Sequence, residues 1–208
     1  MICPCPESAA ITTITADDCK EAIGQIQKFG IQRTKDGLTV NEIVIATTNP
    51  NLKATWTALK AAIDSTKVQF SPEIIETTHE AGEARTYGSG NQVLNGIPLV
   101  IGRNASPFTA AFDRIQQKIA KELKTYECEK NLSVFLIDEN GIIWGKTDDV
   151  DTPTIFKGIP IESFFVSDKK LGGFDGVDQN MLSWSFKQNW SDDLLGVTPS
   201  DFDALEEL

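Results

Sequence analysis

Two apolar segments separated by Asn140-Gly141 constrain the fold of this chain more than any other stretch of its sequence. The segments cover residues 132–139 and 142–145, and both are rich in β-branched and aromatic side chains. Asn-Gly tolerates the two positive φ angles of a type I′ turn, which joins antiparallel strands through a two-residue loop. We therefore expect a β-hairpin at Asn140 and Gly141. Because both of its faces carry apolar residues, it should be covered on each side.

A long amphipathic helix is predicted from Pro107 to about Tyr126. Ser106 is a suitable N-cap, and proline is favoured at the first helical position. The apolar stripe comprises Phe108, Ala111, Phe112, Ile115, Ile119, Leu123 and Tyr126. A helix with one apolar face needs a sheet or another helix to cover it.

Most other apolar segments favour strands, because they are short and rich in β-branched or aromatic residues. Strands are expected over residues 23–33, 42–46, 67–70, 73–78, 97–101, 155–156, 159–166 and 181–186. Two short helices are predicted, one from Leu52 to Ile63 and one beginning at Ser200. Strands and helices do not alternate, so the predicted fold class is α+β: an antiparallel β-sandwich or barrel-forming sheet with one long flanking helix.

The length of 208 residues and a hydrophobic content of 40% suit one domain with a packed core. Pro4 and Pro6 prevent a helix at the start of the chain, so residues 1–22 are interpreted as an extended N-terminal arm. Residues 23–208 are then a single β-rich domain. Within it, the polar and glycine-rich residues 79–91 predict an unusually long connection, which is typically functional or mobile.

The net charge of −11 makes the chain a poor candidate for binding nucleic acid, which requires clustered lysine and arginine. No apolar run approaches the roughly 18–20 residues needed to cross a bilayer, so no membrane association is expected. The first seven residues lack the basic and apolar regions of a secretory signal, and we expect the protein to mature in the cytosol.

The sequence predicts no catalytic, cofactor-binding or metal site. Its four cysteines are scattered, its only histidine is His79, and no phosphate-binding glycine loop is present. The acidic run Asp148, Asp149 and Asp151 does not fit a calcium-binding loop. Large apolar groups beside loop signals instead suggest anchors between subunits. The candidate subunit-contact residues are Tyr87, Gly88, Gly90, Asn91, Phe174 and Trp190.

Several stretches together resemble the tail tube (major tail) proteins of tailed bacteriophages. The first is the cysteine-bearing N-terminus, leading through Asp18-Cys19 into residues 23–29. The second is the strand, Asn-Gly, strand pattern of residues 132–144, which follows the predicted helix. The third is Lys157-Gly158-Ile159-Pro160-Ile161, followed by residues 164–166 and 182–186.

The resemblance implies a virion structural protein with a β-sandwich and a flanking helix, and without catalytic residues. Its subunits would form rings, typically hexameric, that stack into a tube. Its partners would be further copies of itself and other tail or neck proteins of the virion, assembled in the host cytoplasm. DNA would pass through the lumen without specific binding, since a negative wall repels phosphate. Residues 82–91 and the arm before Lys20 would make the contacts between rings.

The sequence is also compatible with three other kinds of protein. A capsid, connector or neck subunit would form a different ring. A carbohydrate-binding adaptor would use Trp56, Trp144, Trp184 and Trp190 as stacking faces. A metal-dependent enzyme would depend on Asp148 or Asp149.

Overall fold

The computed structural model describes residues 22–88 and 90–208, which are mostly antiparallel β-sheet with few helices. The predicted arm, residues 1–22, lies outside the described residues except for Ala22. The strands are β1 (Ile26–Arg33), β2 (Lys35–Asp36), β3 (Thr39–Val40), β4 (Ile43–Val44), β5 (Gln69–Phe70), β6 (Ile75–His79), β7 (Ala84–Tyr87), β8 (Leu99–Arg103), β9 (Ser106–Asp113), β10 (Leu132–Asp138), β11 (Ile143–Lys146), β12 (Ile155–Phe156), β13 (Ile159–Val166), β14 (Gln179–Phe186) and β15 (Leu194–Val197). The helices are α1 (Lys53–Ala61), α2 (Gln117–Lys124) and α3 (Ala204–Glu207).

Nine strands form one antiparallel sheet that is organised around β10. The order is β15-β11-β10-β13-β14-β9-β6, and β1 pairs with both β10 and β5. One edge of β10 pairs with β1 along its whole length, while β13 and β11 share the other edge. All seven residues of β10 are buried. Within residues 22–88 and 90–208, no sheet closes on itself.

The main sheet bends back so that β1 faces β9 and β14 across an apolar core. The Phe29 ring in β1 lies 5.1 Å from the Trp184 ring in β14 and 6.2 Å from the Phe112 ring in β9. These contacts bridge strands that are not neighbours in the sheet order. Helix α2 adds Ala120 and Leu123 to the same core. The bend therefore buries the inner face of the sheet without a second sheet.

A second core covers the other face of β10. The Trp56 ring of α1 packs edge-on against Phe135 of β10 at 5.1 Å. Its indole N–H donates to the carbonyl of Pro50 at 2.7 Å, so the buried polar atom is satisfied. Val197 of β15 and Ala204 of α3 complete this core. The short helix predicted from Leu52 to Ile63 is confirmed, with its ends at Lys53 and Ala61.

The long helix predicted from Pro107 to Tyr126 is wrong. Residues 106–113 form β9, and only residues 117–124 are helical. Ser106, Phe108, Ala110 and Phe112 are buried, while Pro107, Thr109 and Asp113 are more exposed, as in a strand; Ala111 is the exception and is buried as well. Ladders to β14 on one side and β6 on the other satisfy the backbone of β9. Tertiary pairing overrides a pattern that also suited a helix.

The predicted hairpin forms, but its turn is not type I′. Leu136 pairs with Trp144 and Ile137 with Ile143, which leaves a three-residue loop over residues 139–141. Gly141 has a φ of +74°, whereas Asn140 is not among the residues with positive φ. The N–H of Gly141 donates to the carbonyl of Asp138 at 2.9 Å. This is a β-turn followed by a left-handed residue, the usual three-residue hairpin loop.

The buried carboxylate of Asp138 holds the turn and its neighbours together. One oxygen accepts the backbone N–H groups of Asn140 at 2.9 Å and Ile142 at 3.0 Å. The other accepts the indole N–H of Trp144 at 2.9 Å and the N–H of Gly24 at 3.3 Å. Four donors compensate for the removal of this charge from water. A side chain at the end of β10 thereby fixes β11 and the residues that lead into β1.

The outermost strand β6 is irregular. Its register against β9 shifts between Ile75 and Thr78, and Glu76 has a φ of +53°. A bulge of this kind bends the strand and interrupts the row of backbone groups along its edge.

We expect Asp138→Ala to lower the free energy of unfolding by about 2–4 kcal/mol, because four N–H donors, including the buried indole of Trp144, lose their acceptor. Asp138→Asn is the matched control. It keeps one oxygen acceptor and should lose less. Urea denaturation of the three proteins measures both differences. A loss below about 1 kcal/mol for Asp138→Ala would contradict the role assigned to this carboxylate.

The turn geometry predicts that substitutions at Gly141 and at its neighbour Asn140 have different effects on stability. Gly141→Ala should cost about 1 kcal/mol, because an L-residue is strained at positive φ. Asn140→Ala should change stability by less than about 0.5 kcal/mol, since its φ is negative and its side chain makes no hydrogen bond to any residue that the structure describes. Thermal unfolding of both variants provides the measurement. Equal losses at the two positions would instead favour a type I′ turn.

Candidate functional site

Among the strands of residues 22–88 and 90–208, β7 and β8 pair only with each other, and they form a two-stranded ribbon outside the main sheet. The ribbon leaves the main sheet after β6 and returns at β9. Its base is fixed by the N–H of Asn104, which donates to the carbonyl of Glu83 at 2.8 Å, and by the N–H of Gly82, which donates to Ser106 Oγ at 3.0 Å. The long connection predicted over residues 79–91 is therefore wrong, because β6 ends at His79 and β7 occupies the middle of this segment.

Beyond Arg85 and Arg103, which lie near its base, the ribbon exposes apolar side chains without any charge among them. Residues 86–102 contain no Asp, Glu, Lys or Arg. Each of the following residues keeps between 56% and 89% of its surface exposed: Tyr87, Leu94, Ile97, Leu99, Val100 and Ile101. Soluble monomers rarely leave a contiguous apolar patch in water, and such patches mark contact sites. The ribbon is the candidate functional site of this chain.

Four of the six predicted contact residues lie at or beside the turn of this ribbon. Tyr87 ends β7, Gly88 and Gly90 have φ angles of +76° and +57°, and Asn91 lies in a single 3-10 turn. The glycines adopt a left-handed backbone that other residues rarely tolerate. They shape the ribbon end, whereas most of its apolar surface comes from β8 and the residues just before it. That surface was missed from the sequence, although seventeen consecutive uncharged residues were a usable signal.

Phe174 lies far from the ribbon, in the loop between β13 and β14. Its side chain is fully exposed, and Leu171 and Val177 in the same loop are also exposed. The N–H of Gly172 donates to Asp178 Oδ1 at 3.1 Å, which closes the loop on itself. The structure thus provides a second, smaller apolar surface and does not bring it together with the ribbon.

Trp190 packs at the edge of the main core and is not available as an exposed contact residue. Its ring stacks on Phe186 with 4.4 Å between the centroids, and the His79 ring meets it edge-on at 5.1 Å. Partial burial in these aromatic surroundings lowers the pKa of His79 below its usual value. Only part of the Trp190 surface is exposed. Sequence position beside a loop could not distinguish an aromatic that packs inward from one that faces solvent.

The other three tryptophans are buried. Trp56, Trp144 and Trp184 each keep 4% or less of their surface exposed. A sugar-stacking face requires an accessible ring, so these residues do not support the carbohydrate-binding interpretation.

Asp148, in the acidic run of residues 148–151, forms hydrogen bonds within its own loop. Asp148 Oδ1 accepts the N–H of Thr154 at 3.0 Å and the N–H of Ile155 at 3.2 Å. The hydroxyl of Thr154 is its other main partner, and these hydrogen bonds hold the pKa of Asp148 well below its usual range. In the described part of the chain, no group of three or more His, Cys, Asp or Glu residues is placed to hold a metal ion.

Comparison with known proteins returns no family model, no curated protein and no solved structure that matches this chain. Among the described residues, no helix combines the length and apolar character needed to cross a membrane.

Replacing the two predicted aromatic contact residues, Trp190 and Phe174, by alanine should affect stability to different extents. Trp190→Ala removes a stacked ring from the core margin and should lower the free energy of unfolding by about 2 kcal/mol. Phe174→Ala should change it by less than about 0.5 kcal/mol, because the ring contacts solvent. Urea denaturation of the two variants provides the measurement. A stability loss for Phe174→Ala equal to that for Trp190→Ala would contradict this assignment.

Proposed function

We propose that the protein is a virion structural protein that assembles with copies of itself into stacked rings, forming a tail tube through which DNA passes. The observation that carries this proposal is the exposed apolar surface of the ribbon formed by β7 and β8, in which residues 86–102 carry no charge. A surface of this kind is stable in water only when something covers it. The resemblance to tail tube proteins names further copies of the same chain as the cover.

The sheet architecture supports the proposal. A long antiparallel sheet that bends back on itself is the kind of element that can join its neighbours into a barrel. Its two outermost strands in the order, β6 and β15, would lie at or near the joins between subunits. Sheet edges that remain open in one subunit are commonly covered by another.

The acidic balance also fits a tube for DNA. A net charge of −11 gives a surface that repels phosphate, so a passing duplex would find little to bind. No catalytic residue, cofactor or metal is assigned. A capsid, connector or neck ring would use the same exposed ribbon, and the shape of the assembly distinguishes these possibilities.

Assembly of the purified protein tests the proposal. We expect rings or tubes in negative-stain microscopy and a matching fast-sedimenting species in ultracentrifugation. The triple substitution Leu94→Ser, Ile97→Thr and Leu99→Thr should abolish that species. The melting temperature should stay within a few degrees, because all three side chains already face solvent.

Val44→Thr is the matched control. Val44 is an exposed apolar strand residue outside the ribbon, and its replacement should leave assembly unchanged. A wild-type protein that remains monomeric at high concentration would overturn the proposal. Closed rings that do not stack would instead favour a connector or neck subunit.

A further inference from the structure

A cavity of about 260 Å³ lies between β6 and the residues that lead into β1. The two segments meet where the N–H of Ile74 donates to the carbonyl of Gln27 at 2.8 Å. Beyond that contact they separate, so that residues 23–26 line one wall of the cavity and residues 77–79 line the other. The bulge in β6 follows the contact directly, and a bulge bends its strand. The cavity is therefore a consequence of how the strands of the main sheet run.

Core side chains form the inner surface of this cavity. Phe108 of β9, Leu136 of β10 and Phe186 of β14 line it, and each keeps 3% or less of its surface exposed. Trp190, stacked on Phe186, adds a further aromatic ring. Among the described residues that line the cavity none is charged, and Arg103 belongs to an adjoining recess. A charged ligand would lose its hydration here without meeting an opposite charge, so the cavity favours an uncharged and largely apolar ligand.

The size and lining of the cavity suit an aromatic ring with a small substituent. An apolar cavity of about 150 Å³ is large enough to bind benzene, and the volume here exceeds that value. Aromatic rings attract one another in stacked or edge-to-face arrangements. Four aromatic side chains of the lining are available for such contacts: His79, Phe108, Phe186 and Trp190.

His79 supplies a polar group in this otherwise apolar lining. Its ring lies edge-on to Trp190 at 5.1 Å and to Phe186 at 5.7 Å, which fixes its orientation. Because partial burial lowers its pKa, the imidazole is uncharged at neutral pH and offers one donor and one acceptor. Neither ring nitrogen has a hydrogen-bond partner among the residues that the structure describes. The Thr78 hydroxyl, by contrast, is already paired with Thr109 Oγ1 at 2.6 Å.

We propose that this cavity binds an uncharged compound of the phenol class, with its ring against Phe108 and Phe186 and its hydroxyl hydrogen-bonded to His79. A ligand can enter because Ile23 and His79, which both line the cavity, are exposed. The site does not depend on assembly of the protein, since the exposed apolar residues of the ribbon are not part of its lining. The binding activity is therefore separate from the proposed function.

Titration with 4-ethylphenol and with ethylbenzene, which lacks the hydroxyl, tests the site by ligand-observed saturation-transfer NMR. For 4-ethylphenol we expect a dissociation constant on the order of 0.1–1 mM, as for a compound of its size. His79→Phe keeps an aromatic ring beside Trp190 but removes the hydrogen-bonding nitrogens. This variant should bind 4-ethylphenol about fivefold to tenfold more weakly and ethylbenzene nearly as well as the wild type does.

Two further variants block the cavity from opposite walls. Thr77→Trp and Ile23→Trp each place a large ring in the ligand's space, and both should abolish binding of either compound. Because Thr77 is only half-buried and Ile23 is exposed, the melting temperature should stay within a few degrees. Thr39→Trp is the matched control, since Thr39 is an exposed strand residue that does not line the cavity. It should bind both compounds like the wild type.

The ribbon variant Leu94→Ser, Ile97→Thr and Leu99→Thr separates this site from self-assembly. It should bind 4-ethylphenol with the dissociation constant of the wild type. Loss of binding in this variant would assign the probe to the ribbon and overturn the cavity site. Wild-type protein that does not bind 4-ethylphenol, undiminished binding in folded blocking variants, or equal weakening of both compounds by His79→Phe would also overturn the proposal. None of these results would alter the formation of rings or tubes.

Discussion

The buried carboxylate of Asp138 is the interaction on which the centre of the fold depends. It lies at the end of β10, which contributes side chains to both cores, and its four hydrogen bonds tie that strand to β11 and to the entry of β1. Strand β10 has no solvent-facing side, so its position must be fixed by its neighbours and not by a polar face. One satisfied charge supplies that constraint at the point where the chain reverses.

The sequence predicted those parts of the fold that depend on local signals. Asn140-Gly141 marked the hairpin, and the spacing around Trp56 marked α1, because both features can be recognised within about ten residues. The segment around Phe108 and Phe112 was ambiguous, since its apolar positions fit a helix and a strand equally. Pairing with β14, some seventy residues away, decided the outcome. No local pattern contains that information.

The candidate site was only partly predictable, for a related reason. The glycines around Tyr87 predicted a loop with contact residues. Strands are usually recognised by apolar side chains that alternate along the sequence and face a core. The ribbon does not pack against a core, so this signal is missing. The most informative feature of the ribbon sequence was the absence of charged residues over positions 86–102, which an analysis of apolar periodicity does not detect. Trp190 shows the reverse case, in which an aromatic beside a loop packs against Phe186 inside the domain.

The bulge in β6 has a consequence for how this protein avoids unwanted polymers. An outer strand with regular hydrogen-bonding groups can recruit identical strands without limit, which is how cross-β fibrils and amyloid elongate. The left-handed Glu76 and the register shift beside it break that template. The carboxylate of Glu76 at the kink would also repel the same residue of an identical β6 strand aligned in register. This edge therefore lacks the regular template that unlimited addition of identical strands requires.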